Sequence, residues 1–595
     1  MPTSAGVKDY DVVVVGGGIN GLTVGAYLAK AGRSVGVFEA RGQCGAHCDT
    51  VELGIPGFLH NTHALWLVPA MSPAMADLEL ERFGLELRGT DVLYAKAFLD
   101  GTNLLHGLDP ALTEASMSRA SEPDWKTQEK IAEYIAGHGA EALEINRRLA
   151  FGVADSELLG RLADFDDGLL AYLDVPLSGD DVMHMTGLEV LEVLFESEAV
   201  RTTRASMSEY TGQWPSQRRT GAQVLGGGGA VAVHTARGGS HALTHALVKC
   251  VVAHGGEVWT TCPVEEIVIR DGRAVGVRLS PDALLSGEEI GAGVVVSNLT
   301  LVPTFLRLLG EDVIGPEWTA RIRRFSYDDP QLVGVYYALR GDPEFASAAY
   351  DPAVQRAWVG YLGGETFDAM RAAYADLGSG IVPDEIMAGC FLPTRADPTQ
   401  APPGCHTAMV WVSVPACPRH WRGRKLDGWD AWPELAEPLA DAVTERFEQY
   451  APGFKDLILE RHVMTPMDQE RNNPSAIRGN MIGGSAVPEQ SWENRPLPGV
   501  VTRGATRSFV PGLYLSNSIH PYGATHLASG YVAAGEVAED LGCRDAPWWC
   551  SQPFDWFLAH VGKIPLNLGI GAEWQPDDRE HRQETSSTEQ EVPVS

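Results

Sequence analysis

Asp11-Val12-Val13-Val14-Val15-Gly16-Gly17-Gly18-Ile19-Asn20-Gly21 is the stretch on which the fold turns. A run of four valines suits a parallel strand covered on both faces, because neither side of it can meet water. Three glycines then make a tight turn, and a helix is expected from Leu22 to Ala31, closed by Gly32. A second strand, Ser34 to Phe38, ends at Glu39. Strand, helix and strand make one βαβ unit.

Gly16-x-Gly18-x-x-Gly21 alone is a weak signal, but here a strand precedes it, a helix follows, and an acid stands about 20 residues on. Gly16 permits the turn, Gly18 lets the backbone approach a pyrophosphate, and Gly21 lets helix and strand pack closely. Glu39 can accept hydrogen bonds from both hydroxyls of an adenosine ribose, and its charge repels a 2′-phosphate, which disfavours NADP. The unit therefore reads as a dinucleotide site.

The 595 residues exceed one ordinary core, so at least two domains are expected. With 44% apolar and 21% charged residues the chain falls among soluble globular proteins. A net charge of −32 excludes a phosphate-neutralising nucleic-acid surface and disfavours an anionic membrane surface. Met1 to Tyr10 is short and polar, so no secretory leader is expected. The most apolar long stretch, Gly291 to Gly310, is interrupted by Asn298, Pro303 and Arg307 and reads as a strand followed by a helix. Nine dispersed cysteines without a C-x-x-C pair point to reduced thiols and a cytoplasmic location.

Helical spacing dominates residues 110–220. A βα pattern resumes at Gly238-Gly239-Ser240, and strands follow at Glu257–Trp259, Pro263–Ile269, Ala274–Leu279 and Gly293–Ser297. Further strands, Leu332–Leu339 and Thr407–Val414, precede a helix over Trp432–Tyr450. After Gly571 the polar, acidic composition reads as a disordered tail. Near the end, the strand-like Leu513-Tyr514-Leu515-Ser516-Asn517 leads into His520-Pro521-Tyr522-Gly523-Ala524-Thr525-His526 and a small-residue helix from Leu527.

Glu39-Ala40-Arg41 with Gly45-Ala46 extends the fingerprint and resembles the FAD signature of the amine oxidase and phytoene desaturase flavoproteins. Gly238 to Leu243, Val264, Ile267, Asp271-Gly272 and Val295 to Asn298 are similar to further parts of that family, and Ala401 to Gly404, Arg495 to Gly499 and Pro511 to Leu515 resemble its bacterial phytoene-desaturase-like branch, which includes pyridine-nucleotide-disulfide-oxidoreductase-domain-2 proteins. The resemblance covers roughly residues 8–545 and implies an α/β fold, a Rossmann-type FAD-binding domain with an inserted α+β substrate domain. Expected segments are 8–105, 226–300 and 501–545 for the FAD domain, 106–225 (helical) and 301–500 for the substrate domain, then a packing extension over 546–572 and the tail over 573–595. FAD is the implied cofactor, held by Gly16, Gly18, Gly21, Glu39, Ala40, Arg41, Gly45, Ala46, His47, Val264, Asn298, Asn517 and Thr525. A hydride leaving a substrate C–H for flavin N5, with formation of a double bond, is the implied chemistry.

Against the family's His-Pro-Gly-Gly-Gly turn, Tyr522, Thr525 and His526 are departures at the reactive end of the flavin, where a side chain can hold a carbonyl or take a proton. Packing on the flavin is the plainer role for Tyr522. His60, Asn61, Thr62 and His63 fall on a polar loop near flavin and substrate, with Trp66 beside them; Tyr522, His526 and His63 are the catalytic candidates. Arg495 is read either as an FAD contact or as a surface ion pair. Cys44-Gly45-Ala46-His47-Cys48 lacks zinc spacing, so no metal is expected; covalent flavin attachment there is the minor alternative. Trp548-Trp549 and Trp556-Phe557 read as packing aromatics. The expected partner is a small to medium apolar substrate bearing a carbonyl, hydroxyl or amine, with no stable membrane insertion. The electron acceptor (oxygen, quinone or another redox protein) and any homo-oligomer stay open. Two other readings are redox-neutral isomerisation on reduced flavin and a non-catalytic prenyl-binding escort; the intact glycine and Glu39 set disfavours the escort.

Overall fold

A computed structural model describes residues 9–68, 72–151, 154–209, 214–225, 233–495, 506–517 and 527–551. Tyr522, Thr525, His526, Trp556-Phe557 and the expected tail lie outside the described residues.

The valine strand, Tyr10–Val15, pairs in parallel with Val35–Phe38 on one side and Glu289–Ser297 on the other. Glu257–Trp259 extends this sheet beyond Val35–Phe38, and Leu513–Leu515 joins Glu289–Ser297. The antiparallel ribbon Val264–Arg270 and Arg273–Leu279 continues from the start of Glu289–Ser297, giving seven strands. Val12 and Val14 face the helices Ile19–Lys30, His241–Ala253 and Ala528–Asp540, while Val13 and Val15 face Val277, Phe305, Leu308 and Ile322. All four valines are buried, worth ~1.5–3 kcal/mol each relative to exposure. The first helix begins at Ile19, three residues earlier than its apolar pattern suggests, because Gly18 takes the extended conformation of an N-cap.

The second sheet runs in the order Ile458–Met464, Gln331–Leu339, His406–Val414, Ala388–Phe391, Val359–Leu362, Val92–Ala97, Asn103–Gly107. Its hairpin Val92–Gly107 falls mostly in the first segment expected for the FAD domain, 8–105, yet pairs with Gly360 and Tyr361 of the second sheet. A short hairpin carries no sequence mark of which sheet it will join. The helix Trp432–Tyr450 covers one face of this sheet. The other face meets the helices Glu122–Gly137, Ser156–Tyr172, Glu198–Glu209 and Phe367–Gly378, together with Leu65 and Trp66.

The apolar stretch after Gly291 forms the strand Glu289–Ser297 and a π-helical segment, Pro303–Leu309. No helix among the described residues is long and apolar enough to cross a membrane. Trp549 is buried and its ring lies 4.6 Å from that of Tyr27, with Trp548 at 5.8 Å, so this aromatic pair packs on the first helix.

Candidate active site

Gly16 has φ +93°, a conformation open to glycine, and its N–H donates to the Phe38 carbonyl at 2.8 Å. A Cβ on Gly21 would stand 2.4 Å from the Gly16 carbonyl oxygen, and one on Gly18 would stand 2.6 Å from Asn298 Nδ2. Both glycines are therefore required by close approach. Asn298 is fixed behind them by its own N–H, which donates to Val15 at 2.9 Å. Asn517 donates from Nδ2 to the Leu299 carbonyl, tying the end of Leu513–Leu515 to the same crossover.

Glu39 is buried at the tip of its strand, where Oε2 accepts from the Gly17 N–H and Oε1 from the Arg41 N–H, both at 2.8 Å. Burial raises its pKa and those two bonds oppose the shift. Each oxygen keeps a lone pair for a further donor. Ala40 is exposed in the following turn. Thr261 and Cys262 donate to the Arg41 and Glu39 carbonyls at 2.8 Å, which sets Val264, two residues on, beside this rim.

A second loop closes over the first. The Gly45 N–H donates to Gly17 at 2.9 Å, and Ala46 sits at φ +52°. Asp49, 1% exposed, holds the loop: its carboxylate accepts from Arg41 Nη2 at 2.8 Å and Gln43 Nε2 at 2.9 Å, and lies 3.2 Å from His241 Nδ1. Asp49 and His241 escaped the sequence reading because their role depends on a contact across 192 residues. Burial pushes the Cys44 and Cys48 thiols up to about 12, so both stay protonated and neither is an activated nucleophile. No group of three or more His, Cys, Asp or Glu among the described residues is arranged for a metal.

The residues after Pro56-Gly57-Phe58, expected as a loop, begin with a short strand, Leu59–Asn61, paired antiparallel with Thr50–Glu52, and carry this cradle to the second sheet. His60, Asn61, Thr62 and His63 are all buried. His63 lies 4.7 Å from the ring of His47 and 5.2 Å from that of Trp411, on the strand His406–Val414. Burial lowers the pKa of His47 to about 4 and that of His63 well below its ordinary value, so both are neutral at pH 7. His63 Nδ1 has no hydrogen-bond partner among the described residues. Trp66 meets Phe391 and Tyr94 edge-on at 5.7 and 6.3 Å, extending an aromatic wall along the sheet. Trp411 and Phe391 were missed in the sequence because strand alternation reveals a face and not what stands against it. Arg495 is buried and donates from Nη2 to the Gly484 and Ser485 carbonyls at 3.0 and 3.3 Å, with Asp329 nearby; it is no surface ion pair.

Residues 14–78 match the model of an NAD(P)-binding Rossmann-like domain. The chain is 29% identical to pyridine nucleotide-disulfide oxidoreductase domain-containing protein 2 of Mus musculus, over 90% of this chain and 94% of that protein. It is 28% identical to a limonene dehydrogenase polypeptide of Castellaniella defragrans, over 91% and 96% respectively. A lycopene-forming phytoene desaturase of Pseudescherichia vulneris matches at 28% over 39% of this chain and 42% of its own. Among solved structures, a Methanosarcina mazei oxidoreductase superposes with TM-score 0.53 at 16% identity, covering 89% of this chain and 99% of that one. A putrescine oxidase variant does so with TM-score 0.54 at 14% identity, covering 90% and 99%. These structural likenesses concern the fold. Taken with the glycine cradle and its crossover, the sequence relatives show an oxidoreductase that is similar, over most of its length, to phytoene desaturase-like proteins.

Proposed function

We propose that the protein is an FAD-dependent dehydrogenase or desaturase that forms a double bond in a compact, largely apolar substrate. The observation that carries this reading is the meeting of the glycine cradle's second loop, at His47, with His63 and Trp411 of the second sheet. A dinucleotide cradle and an aromatic wall thus share one junction. Cβ atoms at Gly17, Gly18 and Gly21 would collide with Cys44, Asn298 and Gly16, at 2.6, 2.6 and 2.4 Å, so the turn keeps a bare backbone, which supports a dinucleotide such as FAD. Glu39 would hold the ribose hydroxyls, and the Gly16 to Gly21 turn with the N-terminus of the helix Ile19–Lys30 would hold the pyrophosphate. When bound, the flavin supplies the hydride acceptor.

The chain's own residues would confine the substrate and exclude water. Trp66, Phe391 and Trp411 would present ring faces and edges to it. His63, neutral and with an unpartnered Nδ1, would orient a polar atom or accept a hydrogen bond; its burial opposes storage of a full proton. Tyr522 and His526 belong to this proposal on sequence grounds alone, as catalytic candidates. A relative named for limonene, matched along nearly its whole length, supports a ring-bearing terpenoid of about that size.

The test is to purify the protein, record its flavin spectrum and follow anaerobic bleaching by limonene and related cyclic terpenoids. Bound FAD and bleaching by at least one of them are expected. A colourless protein that takes up no added FAD would overturn the proposal.

A further inference from the structure

The sheet face that carries Trp411 also carries a buried polar cluster with no part in the cofactor cradle. Ser413 stands two residues beyond Trp411 on the same strand and therefore on the same face, ~7 Å further along. Its hydroxyl and that of Tyr374 both donate to Glu209, on Oε1 and Oε2 respectively, the latter at 3.0 Å. Glu209 is 2% exposed at the end of the helix Glu198–Glu209.

Lys96 lies on the same face. Tyr94 and Lys96 alternate towards it from the strand Val92–Ala97, and Lys96 is paired in register with Tyr361. Fully buried, Lys96 donates to the Gly363 carbonyl at 2.6 Å and to Ser206 Oγ at 3.1 Å. An ammonium has three N–H donors, so the described bonds use two. Glu209 and Lys96 attract one another, and Glu209 also acts electrostatically on the Tyr361 hydroxyl. Burial pushes Glu209 up to about 7 and Lys96 down to about 8. A cation and an anion without a direct ion pair leave donor and acceptor capacity deep in an apolar core, where unfilled capacity is costly.

We propose that Glu209, Lys96, Ser413 and Tyr374 form a subsite for a neutral oxygen, a hydroxyl or carbonyl, at the end of the substrate remote from the oxidised carbon. An alcohol can donate to the carboxylate and accept from the ammonium at once. An amine would face Lys96, and a carboxylate would face Glu209. The step of ~7 Å along the strand from Trp411 to Ser413, added to the 5.2 Å between Trp411 and His63, sets a span of at most about 12 Å between His63 and Ser413. That span fits a ring compound of about ten carbons and is too short for a long polyene lying extended between the two. The inference rests on the proposed function, in which this face is the substrate side.

The experiment uses FAD-loaded full-length protein and two probes with one skeleton, limonene and perillyl alcohol, their dissociation constants measured by tryptophan fluorescence. Perillyl alcohol is expected to bind at least tenfold tighter than limonene to the unaltered protein. Glu209→Gln and, independently, Lys96→Met are expected to bring that ratio below about threefold while limonene affinity changes less than twofold. A merely structural cluster would shift both probes together. Equal binding of the two probes, no binding of either, or a preference that survives both substitutions would overturn the subsite. If only one variant folds, its ratio decides. Failure of the unaltered protein to take up FAD would instead overturn the parent reading, and the subsite with it.

Discussion

At position 60 a histidine is 4% exposed, edge-on to the ring of Tyr336 at 6.1 Å. Burial, with help from His462 and against Glu460, lowers its pKa from 6.5 to about 4. The folded protein thus refuses a proton that the unfolded chain takes up below pH 6.5. Stability is therefore lost as pH falls from 6.5 towards 4, by about 2 kcal/mol at pH 5 for this one residue. In urea unfolding at pH 7 and pH 5, His60→Gln is expected to lose about 2 kcal/mol less than the unaltered protein over that interval. An identical loss in both would show that His60 titrates normally. The sequence marked His60 and His63 as a polar loop. Their neutral state was not legible there, since it depends on burial beside Tyr336 and Trp411, which are distant in the chain.

Between elements, the crossing of the helices Ile19–Lys30 and Ala528–Asp540 is set by Gly530. A Cβ there would stand 2.7 Å from the Asn20 carbonyl oxygen and 2.7 Å from Thr23 Cβ, and the Gly530 N–H donates to Asn20 Oδ1 at 3.1 Å. Helix propensity favours alanine over glycine by ~1 kcal/mol, while overpacking costs ~1–3 kcal/mol. The collision involves backbone and a β-branched side chain, neither of which yields easily, so overpacking wins. Gly530→Ala is expected to lower the urea midpoint by an amount equivalent to about 1–2 kcal/mol. A raised midpoint would mean that the helices part freely. The sequence showed a small-residue helix at this place; only the packed pair shows why one position in it must lack a side chain.

Across the whole molecule, one buried polar chain joins the cofactor cradle to the second sheet. Ser240 N–H donates to Asn61 Oδ1 at 2.8 Å, Asn61 Nδ2 to Gln400 Oε1 at 2.9 Å, and Gln400 Nε2 to Asp397 Oδ2 at 3.1 Å. Asp397 Oδ2 also accepts from the Gly238 N–H at 2.7 Å. Gln400 and Ser240 are fully buried, so water cannot replace a lost partner. Gln400→Leu leaves Asn61 Nδ2 without its acceptor and removes one of the donors to Asp397 Oδ2, which keeps the Gly238 N–H, an expected cost of ~1–3 kcal/mol. Because Asn61 also orders the start of the helix His241–Ala253, FAD affinity should fall with stability. An FAD titration and a urea curve on the same variant check both; unchanged values would reduce the junction to incidental contact.

Local chemistry is what the sequence by itself determined: the valine strand, the glycine turn and Glu39 state their conformation and ligand class within thirty residues, because each needs only its neighbours in the chain. The strands Glu257–Trp259, Gln331–Leu339 and His406–Val414 were legible for the same reason, through alternation and β-branched content. The tertiary structure decided which surfaces meet. It placed the hairpin Val92–Gly107 in the second sheet, set His47 against His63 and Trp411, and enclosed Lys96 and Glu209 on one face. Burial and register arise largely from contacts far apart in the chain, such as His63 with Trp411 and Lys96 with Tyr361, and no short stretch of sequence encodes them.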